Sequence, residues 1–143
     1  MDENEISKVV LDAAMKIHRA LGPGLFENVY ESLMEHELVK AGLRVKRQVA
    51  LPLEFEGLRF EEAYRVDLLV EDKVLVELKS IERLHPIHRK QLLTYLKLHG
   101  AKLGLLLNFG GEMMRDGVER VVNGLAPSIP VASFAPIAPL RDS

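Results

Sequence analysis

The 143 residues contain no cysteine and no tryptophan, and aromatic residues make up only 6% of the chain. The missing cysteine excludes a disulfide scaffold, iron–sulfur ligation, cysteine-based zinc sites and thiol catalysis. It also fits a reducing compartment, so a cytoplasmic location is expected. Long hydrophobic runs are missing as well. The longest, such as 103–107, fall far short of the ~20 residues that a membrane helix needs. Residues 1–20 begin acidic and read as amphipathic, unlike a signal peptide. Nor is there a dominant charge: 19 Lys+Arg stand against 21 Asp+Glu, for a formal net charge of −2. That balance excludes nucleic-acid binding by bulk charge alone, yet leaves room for an enzyme that touches nucleic acid locally.

The chain does have 48% hydrophobic and 28% charged residues, the balance of an ordinary globular protein. A chain of this length suits one domain that buries roughly two-thirds of its unfolded surface. Ile6, Val9, Val10, Ala13, Ala14, Ile17 and Leu21 recur at the spacing of one helix face. Gly22-Pro23-Gly24 ends that helix, and a second is expected over 25–41 with Gly42 as its cap. Residues 43–55 alternate as a half-buried strand, with Arg47 interrupting the alternation. Gly57 turns into a strand over 59–70. Glu71-Asp72-Lys73 forms a hairpin tip, and a third strand runs over 74–79. Pro86 opens a helix that Gly100 closes, and the apolar run 102–109 reads as a strand covered on both faces. Met114, Val118, Val121, Val122 and Leu125 predict a last helix over 112–124. Four of the seven prolines fall in the last 17 residues. The division is therefore a single domain over 1–125 and a Pro-rich extension over 126–143. That extension is expected to pack on the body or to exchange with a second copy, making a homo-oligomer.

The chemistry concentrates in the second hairpin. With a three-residue loop at 71–73, Val70 pairs with Val74 and Asp67 faces Glu77, their Cβ atoms about 5 Å apart. A register slipped by one residue would put Asp67 on the wrong face for its apolar neighbours. Two facing carboxylates repel unless a positive group lies between them. Lys79, on the same strand face as Glu77, is one candidate. A hard divalent cation such as Mg²⁺ is the other. Two carboxylates and a lysine on one face suit phosphodiester hydrolysis, in which the carboxylates hold the metal and the lysine orients the nucleophile. The same residues equally describe a solvated ion-pair cluster. On the second helix Phe26, Val29, Tyr30, Leu33, Met34 and Leu38 form an apolar arc. Glu27 falls inside that arc, where a carboxylate needs a partner, and Glu35 points away. His88, Gln91 and Tyr95 form a polar strip on the Pro86 helix. Gln91 and Tyr95 could orient a phosphate, a water or a carboxylate.

Gly24-x-x-Glu27-x-x-Tyr30, then Asp67, Glu77-Leu78-Lys79 and Gln91-x-x-x-Tyr95, resembles the GxxExxY proteins, a branch of the PD-(D/E)XK nuclease-like superfamily. The resemblance covers about 6–122. It implies an α/β mixed sheet with a restriction-endonuclease-like αβββαβ core, an extra N-terminal helix and a C-terminal helix plus extended tail. It further implies that Asp67, Glu77 and the Leu78 carbonyl ligate Mg²⁺ (or Mn²⁺), supplemented by Glu27. Lys79 would be the catalytic lysine, and Gln91 and Tyr95 would match the QxxxY element of RecB-like nucleases. Val66 stands where the superfamily name has proline. The implied partner is nucleic acid, DNA ahead of RNA, with no membrane. The alternative is an inactive nuclease-fold module that binds nucleic acid or a protein. Arg83, His88, Arg89 and Lys90 are candidate phosphate contacts, with Arg44, Lys46 and Arg47 a second basic group. His85-x-x-His88 could begin a zinc site but lacks an obvious third ligand.

Overall fold

The computed structural model describes residues 1–125, so the extension over 126–143 lies outside the described residues. Helix α1 spans Glu3–Leu21 and starts in a capping box. The Asp2 carboxylate accepts the Glu5 N–H (2.8 Å), and the Glu5 carboxylate accepts the Asp2 N–H (2.9 Å). Helix α2 follows at Glu27–Lys40. Strands β1 (Val45–Phe55), β2 (Leu58–Val70) and β3 (Val74–Lys79) form an antiparallel meander. Helix α3 (Pro86–His99) crosses over to β4 (Leu103–Asn108), which lies parallel to β3. Gly100 caps α3 in the left-handed conformation, as its position after the last helical residue predicts. A 3-10 turn at Met114–Gly117 then leads into β5 (Val118–Val122), antiparallel to β4. The five strands lie in sequence order, β1 to β5.

Side chains alternate, so each strand faces two layers. Val74, Val76 and Leu78 of β3, with Leu103, Leu105 and Leu107 of β4, pack against α1 and α2. Leu75 and Leu106 meet Leu92 and Leu96 of α3 on the other face. Close docking of α3 depends on Gly104, where an added Cβ would stand 2.9 Å from Leu92 Cγ. The result is the mixed α/β fold expected for a restriction-endonuclease-like core.

One element differs in kind. The segment expected as a helix over 112–124 is a 3-10 turn and an edge strand. Its helical spacing is coincidental. At Gly117 a Cβ would meet the Asn108 carbonyl oxygen at 2.4 Å, so the chain presses too closely on β4 there to continue as a helix. The Val-rich residues beyond it pair with β4, and Val121 is buried on the α3 side. A second difference lies within β1 and β2. Regular alternation would keep Val66, Leu68 and Val70 on one face. Instead Leu68 and Val70 join the α1/α2 layer and Val66 the α3 layer. Val45 and Val49 divide in the same way. The switch occurs at Asp67 and at Gln48, whose φ of +52° breaks the strand geometry. Farther out, the register shifts between Leu51 and Leu53, where Pro52 has no N–H to contribute.

Candidate active site

The β2–β3 ladder runs Val70↔Val74, Leu69↔Leu75 and Leu68↔Val76, and there it stops. Beyond it carboxylates replace carbonyls as acceptors. Glu77 Oε1 accepts the Asp67 N–H at 2.9 Å, and Asp67 Oδ2 accepts the Leu78 N–H at 2.8 Å. The two acids are thereby fixed against each other's backbone rather than simply opposed across a ladder. Each takes a second donor. Gln48 Nε2 reaches Asp67 Oδ1 at 3.1 Å, and the Tyr64 hydroxyl reaches Glu77 Oε2 at 2.9 Å.

Burial and charge act together on this pair. Burial raises the Asp67 carboxyl above its usual range, and the charges of Glu31 and Glu27 add to that, against the Leu78 N–H and the Gln48 amide. Glu77 is pushed up to about 7, by burial first and then by the charge of Asp67. The Asp67 N–H, the Tyr64 hydroxyl and the Lys79 charge oppose that rise. Lys79 is half-buried and, among the described residues, forms no ion pair. Tyr64 and Tyr95 stack with ring centroids 4.0 Å apart and planes 8° from parallel. Burial raises both phenols, which keeps the Tyr64 O–H a donor toward Glu77.

The α2 acids are arranged differently from the helical-arc expectation. Glu27 is exposed, and its Oε2 accepts the Ser80 N–H at 3.3 Å, just beyond β3. Phe26 and Val29, expected in the buried arc, are exposed too, Phe26 at 82%. The buried acid is Glu31, at 6% exposure. It accepts from Arg47 Nε and from Gln48 Nε2, both at 2.8 Å. This accounts for Arg47, which occupies an apolar-phase position of β1 because its side chain reaches α2. Its Nη1 also bonds Glu35, so Glu35 does not point away from the fold (3.2 Å). Glu31, Gln48, Tyr64 and the clamp residue Asn108 were all missed by sequence reasoning. The spacing Glu27-x-x-x-Glu31, one turn apart on one helix face, is the signal that could have found Glu31.

The GxxExxY residues build the turn beside this site. The Tyr30 hydroxyl donates to the Gly22 carbonyl (2.6 Å) and accepts from the Leu25 N–H (3.3 Å). Its ring stacks on Phe109 at 4.3 Å. Ser80 Oγ donates to the Leu25 carbonyl at 2.7 Å, which ties the turn to the end of β3. Asn108, 2% exposed, clamps the following segment through Ile81 N–H (3.0 Å) and Ile81 C=O (2.9 Å).

Among the other sequence candidates, Gln91 is exposed, and its side chain makes no hydrogen bond among the described residues. Arg89 is engaged with Glu119 (3.3 Å) and the Arg120 carbonyl (3.2 Å). Arg83 and Lys90 are exposed. His88 accepts the His85 N–H on Nδ1 (3.1 Å). Burial, then the charges of Lys79 and His85, lower its pKa against Glu27. The second basic group is neutralised: Arg44 pairs with Glu71 and Asp72, Lys46 with Asp72, and Arg47 with Glu31 and Glu35. Among the described residues no three His, Asp or Glu side chains stand close enough to hold a metal ion together, so the histidine pair has no third ligand there. Asp67 and Glu77 still fit a hard cation. They are buried, of like charge, and their oxygens each retain a lone pair. Mg²⁺ is commonly held by one or two carboxylates with water completing its shell.

A mixed sheet between helices, with paired acids and a lysine at the end of β3, defines the class of restriction-endonuclease-like nuclease domains. The chain belongs to the PD-(D/E)XK nuclease superfamily, whose family model matches residues 4–121. Nuclease activity and nucleic-acid substrates are what that superfamily implies, and its members generally use divalent metal ions. No curated protein and no solved structure matches the chain. Among the described residues no helix is long and apolar enough to cross a membrane.

Proposed function

We propose that this chain is a Mg²⁺-dependent nuclease of the GxxExxY branch, with residues 1–125 as its catalytic domain and DNA preferred to RNA. The observation that carries this reading is the reciprocal bonding of Asp67 and Glu77 across β2 and β3, with Lys79, which forms no ion pair among the described residues, two residues on. Asp67 and Glu77 would hold Mg²⁺ with the Leu78 carbonyl as a further donor, and Glu27, bonded to the Ser80 N–H, would reach the ion only through water. When bound, the ion would acidify a water and offset charge on the phosphoryl group. Lys79 orients the attacking water and stabilises charge developing on the phosphate oxygens. Gln48 and Tyr64 hold the two carboxylates in orientation. Tyr95 acts through its stack on Tyr64, while exposed Gln91, Arg83 and Lys90, with half-buried His88, are available to the substrate backbone.

The test is cleavage of single- and double-stranded DNA and of RNA, with Mg²⁺, Mn²⁺ or chelator. Wild type should cleave only with metal, and Lys79→Ala should lose at least about 100-fold. Equal rates in the two proteins would remove Lys79 from the mechanism. One observation favours a second reading, an inactive nucleic-acid-binding or protein-binding module: every oxygen of Asp67 and Glu77 already has a protein donor. In that case Mg²⁺ would not stabilise the wild type more than Asp67→Asn.

A further inference from the structure

A cavity of about 520 Å³ lies on the α1 side of the molecule, outside the acidic site. Its volume is that of a small-ligand pocket. Met15, Met113 and Met114 line it. Thioethers are polarizable and make favourable contacts with aromatic rings. Arg19 and Arg115 line it too, and among the described residues neither forms an ion pair or a hydrogen bond. Two unpaired guanidiniums beside an apolar wall are complementary to an anion carrying a flat ring, and guanidinium geometry matches phosphate.

The remaining polar groups suit the edge of a nucleobase. His18, 8% exposed, has Nε2 at 2.9 Å from the Gly111 carbonyl, so Nε2 is the donor there, and in the Nε2–H tautomer Nδ1 is an acceptor. Glu112, also in the lining, is a second acceptor without a partner among the described residues. Two acceptors favour a ring edge that bears an amino group, as adenine and cytosine have and uracil lacks. Gly22 and Pro23 form one wall, and they belong to the same turn whose Leu25 carbonyl accepts from Ser80 at the acidic site.

We propose that this cavity binds a nucleoside phosphate, with the base on the methionines and the phosphate on Arg19 and Arg115. The choice of a nucleotide over other aromatic anions rests on the nuclease reading above. The nucleotide could be free, or it could be one residue of a bound strand.

Calorimetry on the full chain tests this, with chelator present so that phosphate is not drawn to Asp67 and Glu77. AMP and CMP should bind more tightly than UMP, and inorganic phosphate or adenosine alone should bind about tenfold more weakly than AMP. Arg19→Ala and Arg115→Ala, both exposed positions, should each weaken AMP by about tenfold. Glu112→Ala, which removes one of the two acceptors, should reduce the preference over UMP. No AMP binding by wild type, or AMP binding by both arginine variants as tight as by wild type, overturns the proposal. A short 5′-phosphorylated oligonucleotide separates the sources. If it competes with AMP and Arg115→Ala raises its KM while kcat holds, the cavity takes a strand residue. If AMP binds undisturbed beside the oligonucleotide, the ligand is a free nucleotide. AMP binding retained in a chain that cleaves nothing would sink the nuclease reading and leave this site standing.

Discussion

Glu31 shows how much one buried acid can organise. It lies between Arg47 and Gln48, and Gln48 passes the contact on to Asp67. Arg47 keeps a third of its side chain in solvent, so the ion pair is partly screened. Replacing Glu31 by Ala would leave the Arg47 and Gln48 donors without their acceptor. A loss of about 1–3 kcal/mol is expected in urea unfolding, with Glu31→Gln losing less because its carbonyl still accepts from Gln48. The carboxylate orientation should suffer too: nuclease activity, if present, should fall in Gln48→Ala more than stability does. Tyr64→Phe removes the neutral donor to Glu77 and keeps the ring stacked on Tyr95, so about 1 kcal/mol of stability is at stake. Urea unfolding of Tyr64→Phe checks this, and a loss well above that figure would mean that the ring stack is lost as well.

At the scale of elements, the site depends on how closely the segments after β3 and β4 can approach. Gly110 packs on the Ile81 backbone, where an added Cβ would stand 2.0 Å from the Ile81 carbonyl oxygen. Backbone cannot rotate away as a side chain can. Gly110→Ala should therefore cost about 1–3 kcal/mol and displace Ser80 and Ile81, with melting temperature and Mg²⁺ response both reduced. Gly104→Ala meets only the end of Leu92, so α3 can adjust and the loss should be smaller. A larger melting-temperature loss in Gly104→Ala than in Gly110→Ala would reverse that ordering. Element boundaries were mostly legible. Strand β3 begins and ends where its alternation and the Glu71–Lys73 tip indicate, and α3 lies between Pro86 and Gly100. β5 was not legible, because five apolar residues at near-helical spacing carry no information about an unpaired β4 edge beside them.

For the whole molecule, the raised Glu77 couples stability to pH. Its folded pKa of about 7 exceeds the ordinary 4.5, so between those values the folded state holds more proton than the unfolded chain. The stabilisation is complete below about pH 4.5 and is lost as pH rises through about 7. Asp67, also raised, acts in the same direction. His88 acts oppositely, since its lowered pKa gives stability that grows as pH rises through the histidine range. His88 is half-buried, and the two carboxylates, both raised, should dominate. Chelator-treated protein should thus melt lower at pH 8 than at pH 5.5. The slope should shrink in Glu77→Gln and with saturating Mg²⁺, because a cation between the acids removes the reason to hold a proton. A flat or rising melting temperature over that interval in chelator would contradict the Glu77 assignment.

Local pattern was enough to determine the hairpin register that brings Asp67 near Glu77. Alternation has a period of two, and a slip of one residue would expose the apolar face. It also determined the helices on either side of the sheet, since their apolar stripes have nowhere else to pack. Tertiary structure alone decided which α2 acid is buried, for Glu27 and Glu31 share a helix face and only docking of β1 separates them. It decided as well that Tyr64 serves Glu77, because β2 changes face at Asp67 opposite the strained Gln48. No single-strand periodicity contains that exchange. Two strands must meet before either can twist out of phase.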